Sequence, residues 1–210
     1  MKALLFGSTG LVGQAVALEM TTHRGFSHIF APVRHNPVAP VPSVDYRIST
    51  FDETTFGPVQ FDCGFCCLGT TIRKAGSREA FRAVDFDLVV RMAKAARESG
   101  VKSFAVISSI GADKNSRVFY NQVKGEMESA LIDLEFPSLI ILRPSLLSGD
   151  RNEFRLGEMM AMPVMNLLPD KWRTVPASTV ARAMVKSVLQ VSEKVTILES
   201  ADIQKFKVRK

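Results

Sequence analysis

Three glycines near the amino terminus constrain the fold of this 210-residue chain more than any other feature. They stand at intervals of three residues, as Gly7, Gly10 and Gly13, directly behind the apolar run of residues 3–6. A short continuous apolar run is typical of a strand that is covered on both faces of a parallel sheet. We interpret Gly7 as the tight turn out of that strand, Gly10 as a close approach of backbone to a pyrophosphate, and Gly13 as the position that lets the following helix pack closely on the sheet.

The phosphates of a dinucleotide are therefore expected at this strand-to-helix junction, where free N–H groups and the helix dipole attract anions. The alternative is a glycine turn with a purely structural role. The loop residues that we predict to bind the cofactor are Gly7, Ser8, Thr9, Gly10, Leu11, Val12 and Gly13.

Strand-like and helix-like patterns alternate along the rest of the chain. Further strands are predicted at residues 28–33, 44–49, 61–68, 103–108, 139–142 and 195–198, and helices at 11–22, 78–99, 120–134 and 178–191. Ser178 is the predicted N-cap of the last helix. The alternation predicts an α/β fold: a doubly wound parallel sheet, the Rossmann fold, with a small C-terminal substrate lobe. We expect a single NAD(P)-binding domain over residues 1–210, with residues 149–175 as a substrate-side insertion.

The composition of the chain limits the classes of partner that we expect it to bind. The net charge is +6, but the basic residues are dispersed and form no recognisable nucleic-acid motif, so we expect no nucleic-acid partner. No apolar run approaches the roughly 20 residues that span a bilayer, so we expect no membrane partner.

Cys63, Cys66 and Cys67 lie close together on a predicted strand and indicate small core residues with free thiols, not a metal site. These features, with an opening that does not resemble a secretory signal, predict a cytoplasmic protein.

The end of the second predicted strand bears on the choice of cofactor. A site specific for NAD has Asp or Glu at this place to hold the ribose 2′-hydroxyl. This chain instead has Arg34, whose guanidinium can hold a 2′-phosphate. The sequence therefore predicts NADP(H), with a plain surface arginine as the alternative.

Tyr120 and Lys124 stand four residues apart in a predicted helix and share one of its faces. Ser108 and Ser109 end the strand before it, at the edge of the sheet where ligands bind. A phenol is a poor acid at neutral pH, but a neighbouring ammonium stabilises the phenolate. The phenol can then exchange a proton with a carbonyl oxygen while hydride is transferred, and a serine hydroxyl can bond to the same oxygen. The alternative is a structural tyrosine with a solvated lysine.

Taken together, these residues resemble the short-chain dehydrogenases/reductases, and the glycine spacing resembles their extended and atypical branches. Longer motifs are similar to the Tat-interacting-protein family of atypical short-chain dehydrogenases, over nearly the full chain. These motifs are residues 65–71, 74–76 and 108–114, Tyr120 with 122–126, 142–144, Asp150, Arg151, Glu153, Arg155, 157–158, 175–176 and 180–184.

The resemblance implies a Rossmann fold that binds NADP(H). Besides the glycine loop and Arg34, it places around the cofactor Leu68, Gly69, Thr70, Tyr120, Lys124, Pro144, Ser145 and Leu146. The catalytic residues that it implies are Ser108 or Ser109, Tyr120 and Lys124. The spacing from serine to tyrosine is slightly short for the superfamily, so the choice of serine stays open.

The substrate pocket is expected after the sixth strand. Its predicted substrate-binding residues are Arg151, Phe154, Arg155 and Trp172. The alternative for the apolar members of this region is packing within a lid.

Two functions of different classes fit the sequence. The first is an NADPH-dependent oxidoreductase that reduces a small carbonyl compound, a substrate whose identity the sequence does not give. The second is a non-catalytic NADPH-binding redox sensor, because one Rossmann scaffold hosts both classes. The sequence does not define the oligomeric state.

Overall fold

The described part of the chain comprises residues 1–51, 59–148, 174–190 and 194–208 of a computed structural model. The predicted substrate-binding residues lie outside it, as does most of the predicted insertion. They are Arg151, Phe154, Arg155 and Trp172.

A seven-stranded parallel sheet forms the centre of the molecule, in the order β3-β2-β1-β4-β5-β6-β9. Its strands are β1 (Lys2–Phe6), β2 (His28–Val33), β3 (Val44–Ile48), β4 (Cys63–Cys66), β5 (Ser103–Ile107), β6 (Ser138–Arg143) and β9 (Val195–Glu199). A separate parallel pair joins β7 (Leu147–Ser148) to β8 (Val175–Pro176), and the sequence did not predict it. The predicted α/β class with a doubly wound parallel sheet is confirmed.

Helices connect the strands. They are α1 (Leu11–Thr21), α2 (Ile72–Ala75), α3 (Arg78–Arg82), α4 (Val89–Glu98), α5 (Phe119–Ile132), α6 (Ala177–Leu189) and α7 (Ser200–Gln204), and a π-helical segment (Ala83–Leu88) joins α3 to α4. The helix predicted at residues 78–99 is thus present, with one irregular stretch in its middle. The prediction that Ser178 caps α6 is wrong. Pro176 occupies the N-cap with φ −59°, so the short strand β8 leads directly into the helix without a side-chain cap.

Two apolar clusters cover the two faces of the sheet. Successive residues of β1 alternate between them: Leu5 packs in the cluster with α1 and α6, whereas Leu4 packs in the cluster with α4 and α5. Cys63 and Cys66 are buried as the sequence predicted, whereas Cys67 is half-buried, and burial raises the pKa of the Cys63 and Cys66 thiols to about 12. Within the described ranges, no helix has the length and apolar character needed to cross a membrane.

The sheet order places the topological switch between β1 and β4. From β1 the chain passes to β2 on one side, and from β3 it crosses over to β4 on the other side. In open α/β sheets this is where a crevice opens beyond the carboxyl ends of the strands. The glycine loop after β1 and residues 67–71 after β4 both lie at this edge.

Candidate cofactor and active site

The glycine loop packs so closely that two of its positions exclude a side chain. Gly7 has φ +74°, and a Cβ on it would lie 2.6 Å from the carbonyl carbon of Cys67. A Cβ on Gly13 would lie 2.0 Å from the carbonyl oxygen of Gly7. The contact at Gly7 joins the loops after β1 and β4. The contact at Gly13 packs the first turn of α1 against the glycine loop that precedes the helix. Gly13 therefore fits α1 against the loop backbone, where the sequence analysis had expected the sheet.

The start of α1 is suited to bind a phosphate. Its N-cap is Gly10, which contributes no side-chain cap to the first N–H groups of the helix. Ser8 is buried, and its Oγ has no hydrogen-bond partner among the described residues. An unpartnered hydroxyl next to free helix N–H groups fits an anionic group that supplies the missing acceptor. Thr9 is exposed at the tip of the loop.

Arg34 follows β2 directly and is exposed. Because β2 is the parallel neighbour of β1, its carboxyl end lies at the same edge of the sheet as the glycine loop. The position is the one at which the sequence analysis expected a 2′-phosphate.

A cleft at this edge collects residues from six segments of the chain. Many predicted site residues line it, namely Val12, Leu68, Gly69, Thr70, Ser108, Ser109, Tyr120, Lys124, Pro144, Ser145 and Leu146. Residues that are far apart in sequence are thus brought together where the fold binds nucleotides.

The segment between β5 and α5 is pressed against the helix through two glycines. A Cβ on Gly125 would lie 2.1 Å from the backbone nitrogen of Lys114. Gly111 has φ +76°, and a Cβ there would lie 3.0 Å from Nδ2 of Asn121. This close docking folds the segment back, so that Ser109 and Tyr120 line the same cleft although little chain separates them.

Tyr120 lies at the start of α5, with its ring against a buried phenylalanine. The centroids of the Tyr120 and Phe81 rings are 5.3 Å apart, with the planes tilted by 34°. Phe81 is fully buried on α3. The contact fixes one side of the Tyr120 ring while the residue stays half-buried at the cleft.

Lys124 is buried, which rules out the solvated lysine considered above. Its Nζ lies 2.6 Å from Oδ1 of Asp85, and the two side chains are 4% and 1% exposed. The other carboxylate oxygen of Asp85 accepts a hydrogen bond from the backbone N–H of Thr70 at 2.7 Å. Sequence reasoning missed Asp85. The sequence does contain one indication of its role: Asp85 is an acid on the apolar helix face that also includes Phe81 and Val89, each four residues away.

The two serines after β5 have different surroundings. The hydroxyl of Ser108 is buried and donates to the carboxylate of Glu128. Arg143 holds both oxygens of that carboxylate, from Nε at 3.0 Å and from its terminal nitrogen at 2.6 Å. Hydrogen bonding to Glu128 is the main cause that raises the pKa of Arg143. The hydroxyl of Ser109 donates to the carbonyl of Ile110 at 3.2 Å and is half-buried at the cleft.

The chain is similar in sequence to proteins from animals and fungi. It is 47% identical over 131 residues to Protein HTATIP2 of Rattus norvegicus, a match that covers 61% of this chain and about half, 54%, of the rat protein. It is 35% identical over 205 residues to the mitochondrial protein FMP52 of Lodderomyces elongisporus, with 87% of this chain and 84% of that protein covered. The protein of the same name from Coccidioides immitis is 34% identical over 230 residues, with 95% and 93% covered. No protein-family model matches the chain.

Solved structures share the fold at low sequence identity. The UDP-Glc/GlcNAc 4-epimerase of Campylobacter jejuni superposes with a TM-score of 0.73 at 11% identity, over 97% of this chain and 82% of the epimerase. MoeE5 in complex with UDP-glucuronic acid and NAD gives 0.72 at 14% identity, over 94% and 75%. These likenesses establish the Rossmann fold.

The cytoplasmic location predicted from the sequence is contradicted by these comparisons. The fungal relatives are named as mitochondrial proteins. The prediction was based on free thiols and short apolar runs, which do not distinguish between compartments that keep thiols reduced.

Proposed function

The chain belongs to the family of FMP52 and HTATIP2, atypical short-chain dehydrogenases with a nucleotide-binding Rossmann fold, and on this basis we propose that it is an NADPH-dependent oxidoreductase that reduces a small carbonyl compound. The main observation in support is the cleft in which Ser109, Tyr120 and the buried Lys124 meet beside the glycine loop. A merely structural tyrosine does not require a buried cation next to it.

In this proposal NADPH, when bound, supplies the hydride for reduction of the carbonyl carbon. Tyr120 donates its phenolic proton to the carbonyl oxygen, and the charge of Lys124 stabilises the phenolate that remains. Ser109 donates a hydrogen bond to the same oxygen, because its hydroxyl is half-buried at the cleft and, among the described residues, bonds only to the adjacent carbonyl of Ile110 at 3.2 Å. The hydroxyl of Ser108 is instead buried against the carboxylate of Glu128. The glycine loop and the start of α1 hold the pyrophosphate.

Arg34 supports NADPH as the preferred cofactor. It stands at the end of β2, where an acid would repel a 2′-phosphate and a guanidinium attracts it. Leu68, Gly69 and Thr70 on one side of the cleft, and Pro144, Ser145 and Leu146 on the other, are placed to surround the rest of the cofactor.

Fluorescence titration with NADPH and NADH tests the cofactor assignment. We expect tighter binding of NADPH, and loss of that preference in Arg34→Ala. Arg24→Ala is the matched control, because Arg24 is also exposed but lies before β2, at the opposite edge of the sheet. Equal binding of both cofactors by the parent would contradict the assignment.

Turnover of NADPH with a panel of aldehydes, ketones and quinones tests the reaction. Tyr120→Phe should lower kcat by about 100-fold or more, because it removes the proton donor. Tyr46→Phe is the control, since its hydroxyl bonds to the backbone of Val41 away from the cleft. Undiminished activity of Tyr120→Phe would refute the mechanism, and tight NADPH binding without any turnover would favour the redox sensor.

A further inference from the structure

Lys124 forms a buried ion pair with Asp85 beside Tyr120. The proposed mechanism assigns roles to the glycine loop, Ser109, Tyr120 and Lys124, but none to Asp85. We propose that Asp85 is a positioning residue that keeps Lys124 charged and in place beside Tyr120, an inference that rests on the proposed function for its effect on turnover. Asp85 acts through Lys124 and needs no contact with substrate.

Asp85 joins three segments of the site. One oxygen faces Nζ of Lys124 on α5 at 2.6 Å, and the other accepts the N–H of Thr70 in the segment after β4 at 2.7 Å. Gly69 covers the pair, because a Cβ there would lie 3.2 Å from Oδ1 of Asp85 and 3.9 Å from Nζ of Lys124. The carboxylate therefore fixes Lys124 relative to the residues that line the cleft.

The backbone at Asp85 is irregular as well. Asp85 belongs to the π-helical segment (Ala83–Leu88), which interrupts the run from α3 to α4. Such segments are rare and frequently occur at functional sites. Neighbouring residues of this run also contact α5: Phe81 packs against Tyr120 at the start of the helix, and Arg82 pairs with Glu126 near its middle.

The charges around Lys124 explain why it needs a carboxylate. Asp85 from the π-helical segment, Tyr120 from its own helix and Cys66 from β4 face it. Burial lowers the pKa of the ammonium, but the charges of Asp85 and Tyr120 and the hydrogen bond to Asp85 outweigh burial and raise the pKa above its usual value. Without Asp85, burial would dominate and the lysine would lose its proton at lower pH. A neutral amine does not stabilise a phenolate.

Asp85→Asn tests this, because it keeps the shape of the side chain and the acceptor for Thr70 while removing the charge. Glu126→Gln is the matched control: it also removes a carboxylate from an ion pair between this helical run and α5, but at a partly exposed position. Two quantities are measured on the full chain: the pH at which the carbon-13 resonance of Lys124 Cε titrates, assigned with Lys124→Met, and kcat and KM for carbonyl reduction between about pH 6 and pH 9.

We expect the Lys124 resonance of Asp85→Asn to titrate at lower pH than that of the parent. Its kcat should fall by about 100-fold near pH 9 and by clearly less near pH 6, with a smaller change in KM. Glu126→Gln should match the parent in both measurements. A Lys124 resonance that titrates alike in the parent and in Asp85→Asn, or a kcat loss that is the same at every pH, would overturn the inference.

The resonance separates this inference from the proposed function. If the parent reduces no carbonyl compound but Lys124 titrates at lower pH in Asp85→Asn, the proposed function fails and the role of Asp85 toward Lys124 stands. If Asp85→Asn does not fold, the double variant Asp85→Asn/Lys124→Met decides, because it removes both charges. A folded double variant supports the pairing, and a double variant that is equally unfolded overturns it.

Discussion

Two of the ion pairs that helix α5 makes lie about one turn apart, and they differ in which charge the helix supplies. At Lys124 it supplies the cation, and the partner Asp85 comes from the π-helical segment. At Glu128 it supplies the carboxylate, and Arg143 comes from the end of β6. The first pair is almost completely buried and lines the cleft. The second leaves the arginine 22% exposed and connects onward to Glu199 of β9 at 2.9 Å.

In the proposed mechanism, this difference separates residues that serve catalysis from residues that stabilise the fold. Lys124 interacts electrostatically with Tyr120 beside the cleft, so in the proposed mechanism its charge acts on the phenol that donates the proton. The Arg143 pair ties α5 to two strands and engages the hydroxyl of Ser108. The first pair should therefore control turnover, and the second should control the free energy of unfolding.

Lys124→Met should have the largest effect. We expect kcat for carbonyl reduction to fall by about 1,000-fold per folded molecule, because the phenolate of Tyr120 loses its stabilising charge. Steady-state kinetics, with the folded fraction measured by circular dichroism, provide the check. A variant that retains a tenth or more of the parent kcat would place the chemistry elsewhere.

Glu128→Gln should change stability and leave turnover nearly intact. Arg143 would lose its charged partner inside the fold, at a cost of about 3 kcal/mol in the free energy of unfolding, measured by urea denaturation. Glu135→Gln is the control, because its ion pair with Lys194 is 75% and 70% exposed and is worth at most about 1 kcal/mol. A large loss of kcat without loss of stability in Glu128→Gln would remove the distinction between the two pairs.

Ser108 and Ser109 should also differ in whether their substitution changes kcat or the free energy of unfolding. Ser109→Ala should lower kcat by about 100-fold, because it removes a donor to the carbonyl oxygen. Ser108→Ala should lower the free energy of unfolding by about 1 kcal/mol through loss of its bond to Glu128, with little change in kcat. Steady-state kinetics and urea denaturation of both variants test this assignment. A loss of kcat in Ser108→Ala, with little change of kcat in Ser109→Ala, would make Ser108 the catalytic serine.

The smallest expected effect is on the pH dependence of stability. The pKa of Lys124 is raised above 10.5 in the folded protein, so the folded state keeps this proton where the unfolded state loses it. The stabilisation is complete below about pH 10 and is lost as pH rises through the folded pKa. Urea denaturation should therefore show a steeper alkaline decline for the parent than for Lys124→Met. Equal declines would show that the pair does not hold the proton.

Local patterns in the sequence were sufficient to predict the sheet and the glycine loop. The apolar run before Gly7 and the three-residue spacing of the glycines are visible in a short stretch of sequence, and Gly13 contacts the carbonyl of Gly7 within the same loop. They can therefore be recognised without knowing the fold. Tyr120 and Lys124 could be paired for the same reason, because helix geometry places them on one face.

Features that depend on distant segments could not be predicted in this way. The partner of Lys124 is 39 residues away in the chain, and the choice between Ser108 and Ser109 depends on Glu128 and Arg143. The N-cap predicted at Ser178 failed because the pairing of β8 with β7 sets the start of α6. The location prediction was wrong because free thiols and short apolar runs do not distinguish the cytoplasm from other compartments that keep thiols reduced.

A crystal structure of the parent with NADPH tests the central claim most directly. We expect the pyrophosphate at residues 7–13, the 2′-phosphate within hydrogen-bond distance of Arg34, and the nicotinamide ring beside Tyr120 and Ser109. A cofactor bound elsewhere, or a nicotinamide ring that does not reach Tyr120, would contradict it.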